Sequence, residues 1–199
     1  MVVPVKFMGF YQFCEAIQPT KRHLHNPASR VTGFTLMELI ITIAVLTFLV
    51  TVAAPSLQAT LRDNRLMTQT NLFIGALNLA RSEAIKRGRR VTLCKTSDQW
   101  RCTAAGGYQQ GWLVFVDTHN FAAVDADETI IQVFAPVTGG MTITGNSSVQ
   151  DYVSYAANGA SRLITGGFQA GAITLCQDSA ARHIIINPTG RVRSARDTC

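Results

Sequence analysis

Acidic residues are scarce in this chain of 199 residues, where twelve Asp plus Glu stand against eighteen Lys plus Arg. The constellations from which active sites are built are missing as well. No Ser-His-Asp set, no paired carboxylates and no glycine-rich phosphate loop stands out, so an enzyme is not expected and no cofactor is called for. His119 and His183 have no evident metal or nucleophile companion. The acidic group Asp125-Ala126-Asp127-Glu128 lacks the glycine turn and the carboxylate spacing of an EF-hand, and reads as a solvated loop rather than a calcium site.

What the chain does have is one long apolar run. It opens at Gly33-Phe34-Thr35-Leu36-Met37-Glu38 and continues to Ala54, with Glu38 as its single charge. Its 21 residues suffice to cross a bilayer core as a helix. Lys21, Arg22 and Arg30 precede it, and basic residues stay on the cytoplasmic side, so everything after Ala54 is expected outside. A carboxylate in lipid is expensive, which argues that Glu38 has a task there. An ordinary secretory signal has a shorter apolar core with a small-residue cleavage site after it, an arrangement unlike this one. The hexapeptide, taken with Pro55, resembles the class III signal of type IV pilins and type II secretion pseudopilins. The resemblance implies that prepilin peptidase cuts after Gly33 and methylates the new amino terminus at Phe34. It also implies that Glu38 neutralises the amine of Phe34 on its own or a neighbouring subunit. The helix would lie first in the inner membrane and then in the core of a filament of major and minor pilins.

Residues 1–33 are therefore set aside as a leader. Without them fourteen bases face eleven acids, a net charge of only +3, so any case for a polyanionic partner rests on where the charges sit. About 145 residues follow the apolar run, enough for one globular domain. Cys14 falls in the leader, leaving Cys94, Cys102, Cys176 and Cys199. An even count in an exported domain reads as two disulfides with three possible connectivities. The expectation is Cys94 with Cys102, closing a short loop, and Cys176 with Cys199, tying the chain end to a strand. Zinc is the competing reading, but no Cys-x-x-Cys pair is present and the compartment is oxidising, so no metal is assigned.

From Pro55 to Arg87 the pattern is that of a continuing helix. Leu66, Phe73, Leu77, Ala80 and Ala84 recur on one face, Pro55 is expected to kink the helix, and Gly88 after Lys86-Arg87 suits its end. The cluster Lys86, Arg87, Arg89, Arg90 is explained mainly by capping and solvation. Beyond it, short β-branched runs read as strands over 90–95, 111–117, 129–134, 141–144, 152–156, 171–176, 183–187 and 191–195. Asn158-Gly159 and Asn187-Pro188-Thr189-Gly190 read as turns. Trp112, in an alternating strand with Val114 and Phe115, is expected in the core. The run Gly111-Trp112-Leu113-Val114-Phe115-Val116-Asp117, with those turns and Arg191, resembles the FimT/GspH branch of minor pilins and pseudopilins. The fold class implied is α+β, the type IV pilin fold: a long N-terminal helix packed on an antiparallel β-sandwich. The layout is a leader at 1–33, a transmembrane helix at 34–54, its amphipathic continuation at 55–88 and a β domain at 89–199.

The tail carries the functional argument. Arg191 and Arg193 are two residues apart, so in an extended strand both leave one face while Val192 turns inward. Guanidiniums so placed suit phosphate oxygens, with Arg196 and, from the preceding strand, Arg182 as additions. Gly190-Arg191-Val192-Arg193 resembles the Gly-Arg-x-Arg motif of FimT proteins of competence pili. The resemblance implies sequence-independent DNA binding for natural transformation through Gly190, Arg191 and Arg193. The alternatives are a structural minor pilin that primes pilus assembly, its arginines meeting carboxylates of neighbouring pilins, and a GspH-type pseudopilin of a type II secretion system.

Overall fold

The computed structural model describes residues 33–199; the expected leader, apart from Gly33, lies outside them. The chain divides into two compact units, the first ending at Val45 and the second running from Leu46 to Cys199. The elements in order are helix α1 (Leu36–Arg87) and strands β1 (Val91–Lys95), β2 (Trp112–Val116), β3 (Ile130–Phe134), β4 (Thr142–Gly145), β5 (Tyr152–Tyr155), β6 (Gly171–Gln177), β7 (Ala180–Ile186) and β8 (Val192–Thr198).

In the first unit the helix starts where Thr35 caps it. The Thr35 hydroxyl accepts the amide of Glu38 at 3.2 Å and the Thr35 carbonyl accepts that of Leu39 at 3.1 Å. The apolar side chains here, from Phe34 through Val45, lie exposed. Helix α1 is long and apolar enough to cross a membrane, with a mean hydropathy of 2.4 over an 18-residue window that is wholly unburied.

In the second unit the helix becomes one-sided. Leu66, Phe73, Ala76, Leu77, Ala80 and Ala84 are buried, so all five positions read from the periodicity face the core. The helix continues through Pro55, and Gly88, at φ +63°, closes the last turn onto the Ile85 carbonyl. Two antiparallel four-stranded sheets follow, in the orders β3-β2-β1-β5 and β4-β6-β7-β8. Side chains of the helix and both sheets form one hydrophobic cluster. At its centre Phe73 meets Tyr108 edge-on at 5.2 Å and Trp112 at 4.9 Å, and Trp112 stacks on Phe134 at 5.3 Å. Trp112 is thus a core residue. This is one long helix packed on antiparallel sheets.

All eight expected strands form, but the last two are longer than their sequence pattern. β7 begins at Ala180 and β8 runs to Thr198, paired residue by residue from Ile186 with Val192 to Ala180 with Thr198. β8 is an edge strand whose residues after Val192 are all exposed, so no apolar alternation marks it, and backbone pairing alone defines its end. The two sulfur bridges join Cys94 to Cys102 (Cα–Cα 5.6 Å) and Cys176 to Cys199 (Cα–Cα 5.9 Å).

Candidate functional site

The arginine strand begins at a turn held from three directions. Gly190 sits at φ +77°, its amide donating to the Asn187 carbonyl at 2.8 Å, and the Asn187 amide donates to Arg191 at 3.0 Å. A Cβ at Gly190 would overlap the carbonyl oxygen of Gly159, so the two turns lie face to face and only glycine fits between them. Arg81, on α1, clamps both: its Nε donates to the Gly159 carbonyl at 3.0 Å and its Nη2 to that of Thr189 at 3.2 Å. Ser161 adds a third tie, donating to the Asn187 carbonyl at 2.8 Å. Since its amide is already engaged, Gly190 positions the strand rather than offering a donor to a ligand. The far end is fixed by the Cys176–Cys199 bridge and by the Cys199 amide on Ser179 at 3.3 Å.

Between these anchors the arginines separate. Val192 packs against the core opposite Ile186, so Arg191 and Arg193 leave the outer face of the sheet. Arg196 lies opposite Arg182, in line with the buried Ile184 and Ile186, and so belongs to the inner face. The expectation of one patch from Arg182, Arg191, Arg193 and Arg196 is corrected here: strand alternation divides the four into an outer and an inner pair. Arg182 is also engaged. Its Nη2 is 3.2 Å from Asp63 on α1 and only 11% of its side chain is exposed. By contrast, the side chains of Arg191, Arg193 and Arg196 make no hydrogen bond or ion pair with any described residue.

The histidines have more company than their sequence neighbourhoods indicate. On the outer face His183 Nδ1 is 2.9 Å from Thr174 Oγ1 and Nε2 is 2.7 Å from Asp197 Oδ2. The Thr198 amide, and after it His183, hold the Asp197 carboxyl below the usual carboxylate range. His119 lies 3.3 Å from Asp125, 3.8 Å from Asp127 and 3.5 Å from Glu128. The acidic loop is thus organised rather than merely solvated. The Glu128 side chain is fully buried and accepts the amides of Thr118 (2.6 Å), His119 (3.2 Å) and Asp125 (3.2 Å). No sequence signal marks the buried Lys95, whose Nζ meets Asp151 at 2.8 Å and the Gly106 carbonyl at 2.9 Å. In the basic cluster, Arg87 pairs with Glu83 at 2.6 Å and Arg90 holds Asn120, Ser154 and the carbonyls of Arg162 and Leu163. Both are structural. At the other end of the chain, Phe34 is 79% exposed in the first unit, and Glu38 follows it in the opening turn of the helix.

A long helix with an exposed apolar start, packed further on against antiparallel sheets, defines the class as pilin-like. Residues 69–190 match the family model of the type II transport protein GspH, and the chain belongs to that family. Among solved structures it is similar to the type IV minor pilin FimU of Pseudomonas aeruginosa PAO1. In one crystal form the identity is 17%, the match covers 69% of this chain and 95% of that one, and the TM-score is 0.51. In a second form the identity is again 17%, with 67% and 97% covered and a TM-score of 0.49. At that identity the likeness speaks for the fold. A comparison with curated proteins finds no match. The apolar helix and the family together fit a membrane-anchored pilin-like subunit with a soluble C-terminal domain.

Proposed function

We propose that this chain is a FimT-like minor type IV pilin that captures extracellular DNA through phosphate contacts of Arg191 and Arg193, for uptake in natural transformation. The observation that carries the reading is the state of these two arginines. Arg193 lies on β8 and Arg191 directly precedes it, so strand alternation continued by one residue directs both to one face; neither has a carboxylate partner among the described residues, and the segment is anchored at both ends. A backbone segment fixed at both ends loses little of its own freedom on binding, and guanidiniums grip phosphate through several donors. Such contacts read no base, so binding is sequence-independent and salt-sensitive. Two contacts per subunit give modest affinity, and useful capture comes from several subunits in one filament. Arg196, on the opposite face, lies outside this reading of the site, and Arg182 is held by Asp63.

The same reading covers the N-terminus. Residues 1–33 are removed by prepilin peptidase after Gly33, Phe34 is methylated, and Glu38 neutralises its amine when the subunit joins other pilins. Residues 34–54 span the inner membrane before assembly, 55–88 continue the helix, and 89–199 form the exported β domain. The chain acts as a subunit and not as a catalyst.

A second reading, a GspH-type pseudopilin of type II secretion, is favoured by the family model that matches. Fluorescence polarisation of the full chain in detergent with labelled duplex DNA separates the two. The DNA-capture reading expects binding that the Arg191→Ala/Arg193→Ala variant loses. Absence of binding, or binding indifferent to both arginines, transfers the assignment to the secretion or purely structural subunit.

A further inference from the structure

The outer face of the β6-β7-β8 sheet carries more than two arginines. His183 stands opposite Ala195, with Arg193 and Asp197 as the neighbours of Ala195 on the same face of β8. Thr174 pairs with His183 from β6, and Thr144 with Thr174 from β4. Ala172 and Cys176 flank Thr174, and Ala181 and Ile185 flank His183, so β6 and β7 bring no further charge to this face. Arg182 and Arg196 lie on the inner face, and Asp178, in the β6–β7 turn, is engaged by Arg62 at 3.3 Å. The charged groups facing His183 are therefore Arg191, Arg193 and Asp197.

We infer that this face is one phosphate-binding surface tuned by the Asp197–His183–Thr174 hydrogen-bond chain, in which His183 is a positioning residue that acts through Asp197 and Thr174, so that the face takes up polyanion more strongly in mild acid. The inference rests on the DNA-capture reading of Arg191 and Arg193. The hydrogen-bond chain gives the mechanism. With a neutral imidazole, Nε2–H donates to Asp197 and the Thr174 hydroxyl donates to Nδ1. Two arginines then face phosphate with one carboxylate set against them. A proton taken from solvent onto Nδ1 makes both ring nitrogens donors. Asp197 is neutralised as a neighbour, and Thr174 Oγ1 becomes the acceptor, so its own hydrogen is released to an incoming phosphate oxygen. Histidine is the side chain whose charge changes across this range. Asp197, held in its ionised form by the Thr198 amide, remains a carboxylate throughout.

The test is the affinity of the detergent-solubilised full chain for a labelled DNA duplex between pH 8.0 and 5.5 at fixed ionic strength. The wild type, His183→Gln, Asp197→Asn and Arg191→Ala/Arg193→Ala are compared. Gain of one charge beside phosphate is expected to tighten wild-type binding about three- to fivefold from pH 8.0 to 5.5. His183→Gln should lose that gain. Asp197→Asn, an independent variant, should bind about threefold tighter at pH 8.0, since it removes the opposing charge. If His183→Gln keeps the full pH gain, or Asp197→Asn leaves binding at pH 8.0 unchanged, the inference is overturned while the DNA-capture reading stands. If the arginine variant binds as well as the wild type, or the wild type does not bind at either pH, that reading falls and the inference with it.

Discussion

Arg182 and Arg193 are three register positions apart in the β7–β8 pairing, yet they have opposite fates. The first lies on the inner face, 11% exposed, with Asp63 at 3.2 Å; the second lies on the outer face with no partner among the described residues. A count of positive charge treats them alike. The comparison teaches that an arginine is available to a ligand only where the fold has not already supplied its carboxylate. In a domain this mildly basic, that availability separates the arginines where net charge does not.

The contrast can be broken at its scaffold first. Gly190→Ala forces a Cβ at φ +77° into the Gly159 carbonyl and should lower stability by about 2–4 kcal/mol, through backbone strain and overpacking together. Thermal unfolding followed by circular dichroism checks this, and an unchanged midpoint would show that the two turns separate at little cost. Next comes the outer pair. Arg191→Ala/Arg193→Ala should weaken duplex binding about tenfold or more, with the unfolding midpoint unaltered because neither side chain has a described partner. Asp63→Asn probes the inner face, where it leaves Arg182 largely buried beside Arg196. A loss of about 1 kcal/mol of stability, with DNA affinity unaffected, is expected. The smallest effect is that of Arg196→Ala, which should change affinity by less than about twofold, since it lies on the face opposite Arg193. Equal losses for Arg196→Ala and the outer pair would erase the distinction between the faces.

Much of this was legible in the sequence, for identifiable reasons. The helical stripe from Leu66 to Ala84 follows from a 3.6-residue period because one face is buried, and the eight strands follow from β-branched runs between turn residues. The common direction of Arg191 and Arg193 follows from strand geometry alone. The position of Arg182 and Arg196 does not, because it depends on the register between β7 and β8 and on Asp63, which is remote in sequence. Each turn at Asn158-Gly159 and Asn187–Gly190 is readable by itself, whereas their contact and the Arg81 clamp are tertiary. The companions of His183 and the burial of Lys95 were hidden for the same reason: Asp197 and Asp151 come from other strands or loops.

The central claim is that two guanidiniums on the outer face, without a partner among the described residues, hold DNA by its phosphates. Its most direct test is the salt dependence of duplex binding by the full chain in detergent, for the wild type and for Arg191→Ala/Arg193→Ala. Each phosphate contact contributes about 0.9 to the slope of log affinity against log salt, so the account predicts that the variant's slope is shallower by about 1.8. Equal slopes in the two proteins would contradict it.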